Sequence, residues 1–235
     1  MLSRIVLKRS SKQEGESPFW ISFSDLMSAL MTLFLVVMAV TLIAITKTVT
    51  VEVEASKRRS KDIQAVMAKI QKNSAVFKEV KVDEKNFRID LGDVVLFDKG
   101  NAIIKADAAQ FLRAYIPILL SAKATPEGDE WMRRIVVEGF TDQDGTYLYN
   151  LGLSLERSRS VVCVMFAKPA DNEVALNESQ KRQIRDLFLV GGYSFNSTRK
   201  NKAESRRVEL KIEFRSIGDE KPPAVAIEGK DFGQC

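Results

Sequence analysis

Between Leu26 and Ile45 twenty consecutive residues carry no charge and no proline. That is long enough for a helix to cross the hydrocarbon core of a bilayer, which takes about 20 apolar residues. A segment that crosses lipid must satisfy its own backbone, so this stretch is expected to be helical. One letter near its start is out of place. In FWISFSDLMSALMTLFLVVMAVTLIAI, Phe19 to Ile45, Asp25 is the one ionisable side chain. A carboxylate inside a bilayer helix costs roughly 2.5–3.5 kcal/mol on insertion scales and is a functional-site hypothesis by default. A cleaved leader fits poorly, because the run is too long and no small-x-small cleavage site follows it. A retained anchor is expected.

Helical spacing puts Ser22, Asp25, Ser28, Ala29, Thr32, Val36 and Ala39 or Val40 on one stripe. Small and hydroxyl-bearing residues on a membrane helix mark a packing surface against another helix. The opposite side, with Leu26, Leu30, Leu33, Leu35, Val37 and Leu42, suits lipid or a surrounding protein ring. Two readings of Asp25 stay open on position alone. It snorkels or caps the helix start, where negative charge is favoured, or it carries a proton between two compartments. Basic residues flank the span on both sides, Arg4, Lys8, Arg9 and Lys12 before it and Lys47, Lys57, Arg58, Arg59 and Lys61 after it, so the positive-inside count is nearly balanced.

Composition narrows the chemistry. Histidine is absent, which excludes Ser-His and Cys-His nucleophiles and the commonest zinc sites. A net charge of +5 over 235 residues is too mild and dispersed for a nucleic-acid surface. The two cysteines, Cys163 and Cys235, have no metal-ligand spacing. Cys163 reads as a small hydrophobe in the helical run VVCVMF, with a bridge to Cys235 left open. No cofactor is expected, and no enzyme motif or acid pair at a defined spacing is present.

The expected organisation is a cytoplasmic segment 1–18, a membrane helix 19–45, a linker 46–85, a domain 86–216 and a loose tail 217–235. In the linker, Ile63, Val66, Met67, Ile70 and Phe77 recur at helical spacing, as a short coiled coil between two copies or as a connector packed on the domain. In the domain, 86–97 alternates as a strand through Phe87, Ile89 and Leu91. Helices are expected over 105–121, with Pro117 as a kink, and over 151–167 and 176–188. Residues 133–139 and 206–214 read as strands, and 189–194 as a turn or short strand. That order predicts an α+β domain with helices packed on one small mixed sheet.

Within VVEGFTDQDGTYLYNLGLSLERSRSVV a strand ends at Glu138, Gly139 and Gly145 frame a loop, and Asn150 is a candidate N-cap. Asp142 lies in the loop and Arg157 two turns along the helix. On spacing alone they pair with each other and staple loop to helix. Alternatively they form a two-pronged site for a zwitterion, Asp142 taking an ammonium and Arg157 a carboxylate.

At Gly139, Phe140, Thr141, Asp142, Gly145, Tyr149, Asn150, Leu153, Ser154 and Arg157 the chain resembles the OmpA C-terminal-like family of peptidoglycan-binding domains. The resemblance spans roughly Phe87 to Arg215. It implies that Asp142 and Arg157 hold the diaminopimelate of the cell-wall stem peptide, with Thr141, Tyr149, Asn150 and Leu153 around them and Arg206 or Arg207 beside the site. Phe140 replaces the polar aromatic or histidine often found there. With the membrane run FSDLMSALMTLFLVVM, the whole is similar to the MotB family of ion-driven motor subunits, and closest within it to those of the Zorya anti-phage systems. That implies Asp25 as the ion carrier near the cytoplasmic end, with Ser22, Ser28, Ala29 and Thr32 lining its channel or packing face. It further implies protons rather than sodium, an inner-membrane homodimer inside a pentameric MotA- or ZorA-like ring, and a periplasmic wall-binding domain. A passive membrane-to-wall tether, or a flagellar stator subunit, are the alternatives.

Overall fold

The computed structural model describes residues 17–169, 173–221, 232, 233 and 235, with side chains from Trp20 onward. The expected segment 1–18 lies almost wholly outside them. The chain forms two compact units, residues 1–55 and 56–235.

Helix α1, Ser17–Ser74, runs from the first unit into the second. Its apolar portion is long and apolar enough to cross a membrane. Polar side chains there are returned to the helix's own backbone: Ser28 Oγ donates to Asp25 O and Thr32 Oγ1 to Ala29 O, each at 2.9 Å. Thr41 and Thr46 do the same. Such self-satisfaction is what a hydrocarbon environment demands.

The second unit begins with the last turns of α1. Ile63, Val66, Met67 and Ile70 are each at most 3% exposed within the core, so the helical periodicity marks a face packed on the domain. There follow β1 Lys81–Asp83 and β2 Arg88–Asp90, then α2 Ala106–Lys123, α3 Pro126–Trp131 and β3 Met132–Gly139. The chain closes with α4 Tyr147–Phe166, α5 Glu178–Leu187, β4 Phe188–Gly192, α6 Lys202–Ser205 and β5 Val208–Phe214. The sheet order is β1-β2-β5-β3-β4. β3 and β4 are parallel and the remaining pairs antiparallel, which makes the sheet mixed, as expected. Alternation along β3 buries Ile135 and Val137 in the core, and β5 contributes Val208, Leu210 and Ile212. The helices supply Leu112, Ile116, Leu119, Val161, Met165 and Ile184.

Two expectations change. The strand over 86–97 is limited to Arg88–Asp90 and gives way to a 3-10 helix, Gly92–Val95. Gly92 sits at φ +65, where a Cβ would lie 2.4 Å from Glu79 O, so the chain turns there instead of extending. Pro117 lies inside α2, which runs without a break from Ala106 to Lys123. The tail does not simply trail away: Cys235 is disulfide-bonded to Cys163 of α4, and Phe232 lies 5.0 Å from Phe166, centroid to centroid.

Candidate functional site

In the first unit Ser22, Asp25, Ser28, Ala29 and Thr32 all lie within α1 and are exposed. Helical geometry therefore places a carboxylate, three hydroxyls and an alanine on one stripe.

In the second unit a cleft of about 50 Å³ opens where β3 hands over to α4. It is lined by Lys99, Gly100, Thr141, Asp142, Asp144, Tyr149, Asn150, Leu153, Arg157 and Arg206. Six of the expected wall-binding residues thus meet there, and Arg207 does not. Close helix–sheet approach builds the cleft. A Cβ on Gly139 would lie 2.0 Å from Ser154 O, and one on Gly192 2.8 Å from Ser154 Oγ. Glycine at both positions lets α4 sit directly on β3 and β4.

Thr146, not Asn150, caps α4, accepting from Tyr149 N at 3.4 Å. Asn150 lies one turn in and works backwards, its Nδ2 donating to Asp144 O at 2.9 Å and Thr146 O at 3.1 Å. Those bonds shape the 140–146 loop. Gly145 at φ +100 completes the turn.

Asp142 and Arg157 do not pair. Arg157 is 0% exposed and donates three hydrogen bonds to backbone carbonyls: Nε to Asn101 O, Nη1 to Phe140 O and Nη2 to Asp98 O, at 2.9, 2.9 and 3.2 Å. Its guanidinium also lies over Phe97 at 5.1 Å. Burial pulls its pKa down to about 10, with Asp142 working against that drop. Asp142 instead accepts from Asp144 N at 3.1 Å and from Arg206 Nη1 at 2.9 Å. Arg206 is fixed from behind by Nε donating to Phe97 O.

Arg207 faces elsewhere. It lies over the Phe140 ring at 4.3 Å and donates to Glu209 and Ser197 O. Arg206 sits at the end of α6 with φ −85 and ψ 68, outside strand geometry, so strand alternation does not decide which arginine reaches the cleft. Sequence reasoning also missed Lys99 and Asp144. Asp144 bridges Lys99 at 2.9 Å and Lys202 at 2.5 Å, and Lys202 and Lys99 hold its carboxyl down at about 2. The Asp-x-Asp spacing of Asp142 and Asp144 was the available signal.

The family model described as "Membrane MotB of proton-channel complex MotA/MotB" matches residues 7–51. Among solved structures, a putative MotB-like protein from Desulfovibrio vulgaris aligns at 20% identity and TM-score 0.40, covering 69% of this chain and 96% of that one. The OmpA-like domain of FopA1 from Francisella tularensis aligns at 14% identity and TM-score 0.36, covering 58% and 82%. The curated Zorya protein ZorB of Escherichia coli O139:H28 is 38% identical over 223 residues, covering 94% of this chain and 91% of that protein. Identity at that level over nearly the full length of both chains takes in the Asp25 helix and the Asp142 cleft together, and the chain belongs to the MotB-like ZorB family.

Proposed function

We propose that the chain is the wall-anchored subunit of a proton-driven inner-membrane rotary motor that serves anti-phage defence. The observation that carries this reading is Asp25, the one ionisable group between Phe19 and Ile45, on the small, hydroxyl-bearing stripe of α1. Two copies pair through Ser22, Ala29 and Thr32 and stand inside a pentameric ring of a MotA- or ZorA-like partner. A proton crossing at 100 mV releases roughly 2.3 kcal/mol. Protonation neutralises Asp25 and loosens its hold on polar groups of the ring, and deprotonation restores it. A lone carboxylate without further ionisable ligands suits protons better than sodium. The Asp142 cleft fixes the dimer to peptidoglycan, so that alternation between the two Asp25 sites turns the ring. The Cys163–Cys235 disulfide supports a domain outside the cytoplasm, since such bonds persist in oxidising compartments, and with it an N-terminus inside.

The test is phage protection in cells expressing the chain with its membrane partner, wild type against Asp25→Asn at matched levels. Asn is nearly isosteric and cannot ionise, so protection and proton flux are both expected to vanish while assembly persists. A fully protective Asp25→Asn would make the carboxylate incidental and leave a passive tether.

A further inference from the structure

The Asp142 cleft is the near end of a longer polar track. Next to it lies a groove of about 180 Å³, lined by Asp142, Gln143, Thr198, Arg199, Lys200 and Ser205 among others. Beyond that is a second groove of about 280 Å³, lined chiefly by Lys81, Asp83, Arg88, Asp90, Arg199 and Glu209. Asp142 is common to the cleft and the first groove, and Arg199 to both grooves, so the three run into one another. The second groove lies on the sheet face turned away from the helices. Along β2, Arg88 and Asp90 alternate with the core residue Ile89, and along β5 Glu209 alternates with Val208 and Leu210.

The side chains of the second groove are fixed in advance. One oxygen of Glu209 accepts from Arg207 Nε at 2.7 Å and Arg199 Nη2 at 2.8 Å, and the other from Arg88 Nη1 at 3.0 Å. Arg199 Nη2 also pairs with Asp90 at 2.7 Å, and its backbone N–H donates to Ser205 Oγ at 2.9 Å. Those contacts use one nitrogen of each guanidinium that lines the groove. Nε and Nη2 of Arg88, and Nε and Nη1 of Arg199, are uncommitted among the described residues, and the two side chains are 31% and 32% exposed. Three cations, Lys81, Arg88 and Arg199, face three carboxylates, Asp83, Asp90 and Glu209. A lining without net charge exerts little pull on an ion. It offers instead fixed donors and acceptors at close spacing, which is the chemistry that meets hydroxyl and amide groups, each able to donate and accept.

Resting on the wall-binding reading above, we propose that these two grooves are a glycan subsite. With a stem peptide in the Asp142 cleft, the amino-sugar disaccharide that carries the peptide lies along them, and Arg199 at their junction donates Nε and Nη1 to sugar oxygens. Reach sets the location. Three extended residues span roughly 10 Å of chain, so a sugar joined to a tripeptide rests on surface bordering the cleft, and the track begins at the cleft's own Asp142. Size agrees. Taken together the grooves reach the lower end of the range for ligand pockets, about 300–1,000 Å³, which the cleft of about 50 Å³ alone does not. Because sugar and peptide are one molecule, the second contact is intramolecular, and modest sugar contacts add to affinity without a second loss of translational freedom.

The experiment uses the full chain in lipid nanodiscs and calorimetric titration with two soluble ligands, alongside pull-down with isolated sacculi. One ligand is the tripeptide L-Ala–D-Glu–meso-diaminopimelate, and the other is the same tripeptide on its N-acetylglucosamine–N-acetylmuramic acid disaccharide. The wild type is expected to bind the disaccharide form roughly 10-fold more tightly, the size of one or two net hydrogen bonds. Arg199→Ala should remove that gain and leave the bare tripeptide unchanged. Arg199→Lys keeps a cation beside Asp90 and Glu209 but not the fork, so it should also lose most of the gain, and it serves if the Ala variant does not fold. A gain that survives in folded Arg199 variants overturns the proposal and leaves wall binding standing. So does a wild type that binds both ligands equally, or an Arg199 variant that weakens both by the same factor. A wild type that binds neither sacculi nor either ligand overturns the wall-binding reading, and this inference with it.

Discussion

Trp131 donates its indole N–H to Asp62 at 3.0 Å, joining the end of α3 to the last part of α1. Arg59 lies over the same ring at 5.8 Å and donates to Arg215 O at 2.7 Å. Further along α1, Ser74 and Tyr115 share a hydrogen bond of 2.9 Å. These polar contacts flank the apolar face of Ile63, Val66, Met67 and Ile70, so residues 56–74 are part of the domain's core.

Removing that face should therefore unfold the domain. Ile70 is 0% exposed, and Ile70→Ala is expected to cost about 2–5 kcal/mol. Lys69→Ala, on the exposed side, should stay within about 0.5 kcal/mol. Denaturant unfolding of the full chain followed by tryptophan fluorescence distinguishes the two. Equal, small effects would mean that this stretch behaves as a free linker.

Arg157→Ala should act through the fold of the cleft. Three backbone carbonyls lose their donor at once, and each unmet buried group costs about 1–3 kcal/mol. The expected result is a drop of several kcal/mol in unfolding free energy together with loss of sacculus binding. Asp142→Asn should lose binding while unfolding nearly as the wild type. An Arg157→Ala protein with wild-type stability would show that the buried guanidinium holds nothing in place.

Much of this was readable in the letters, and the failures have physical causes. The 20-residue uncharged run, the helical period of Ile63 to Ile70 and the alternation of Val208 to Phe214 each follow from a single periodicity. Period alone does not name a partner, and so residues 56–74 could be placed in a coiled coil or on the domain. The neighbourhood of Asp142 and Arg157 was legible from loop and helix spacing, their pairing was not. It is decided by Arg206, more than sixty residues away, and by carbonyls at 98 and 101 that no side-chain pattern announces. The choice between Arg206 and Arg207 turns on one non-strand backbone conformation ahead of β5.

Gly139→Ala offers a test of the helix–sheet contact. The added carbon would lie 2.0 Å from Ser154 O and 2.6 Å from Ser158 Oγ, and the first of these is backbone that cannot swing aside. Overpacking of this kind costs typically about 1–3 kcal/mol. Because α4 must shift, Asn150, Leu153 and Arg157 move with it. Sacculus binding is expected to fall at least as far as stability does. Unchanged binding in Gly139→Ala would show that the cleft does not depend on this approach.

Acid should weaken the domain in a defined window. Burial would raise the Glu209 carboxyl, but Arg207, Arg88 and Arg199 outweigh it and hold the group below its ordinary 4.5. The Asp144 carboxyl sits at about 2, through Lys202 and Lys99. Both pKa values are depressed on folding, so their contribution is present above the unfolded values and is lost as pH falls through the folded ones. The melting temperature is expected to be flat from about pH 8 to 5.5 and to fall below about pH 4.5. Glu209→Gln should flatten part of that fall. A domain that weakens between pH 8 and 6 instead would contradict this assignment.

The disulfide gives the most direct reading of which side of the membrane the domain occupies. Cys163 and Cys235 are 72 residues apart in sequence, and closing a loop of that order stabilises by typically about 2–4 kcal/mol. The bond also ties Cys235 to α4, beside the Phe166–Phe232 contact. In cells, the domain is expected to resist thiol alkylation until it is reduced, and Cys163→Ser should leave Cys235 reactive and lower the melting temperature. A version whose first 55 residues are removed, so that no membrane helix leads it out of the cytoplasm, should carry two reactive thiols, because that compartment keeps them reduced. Reactive thiols in the full-length membrane protein would place the domain on the cytoplasmic side, where it could not meet the wall.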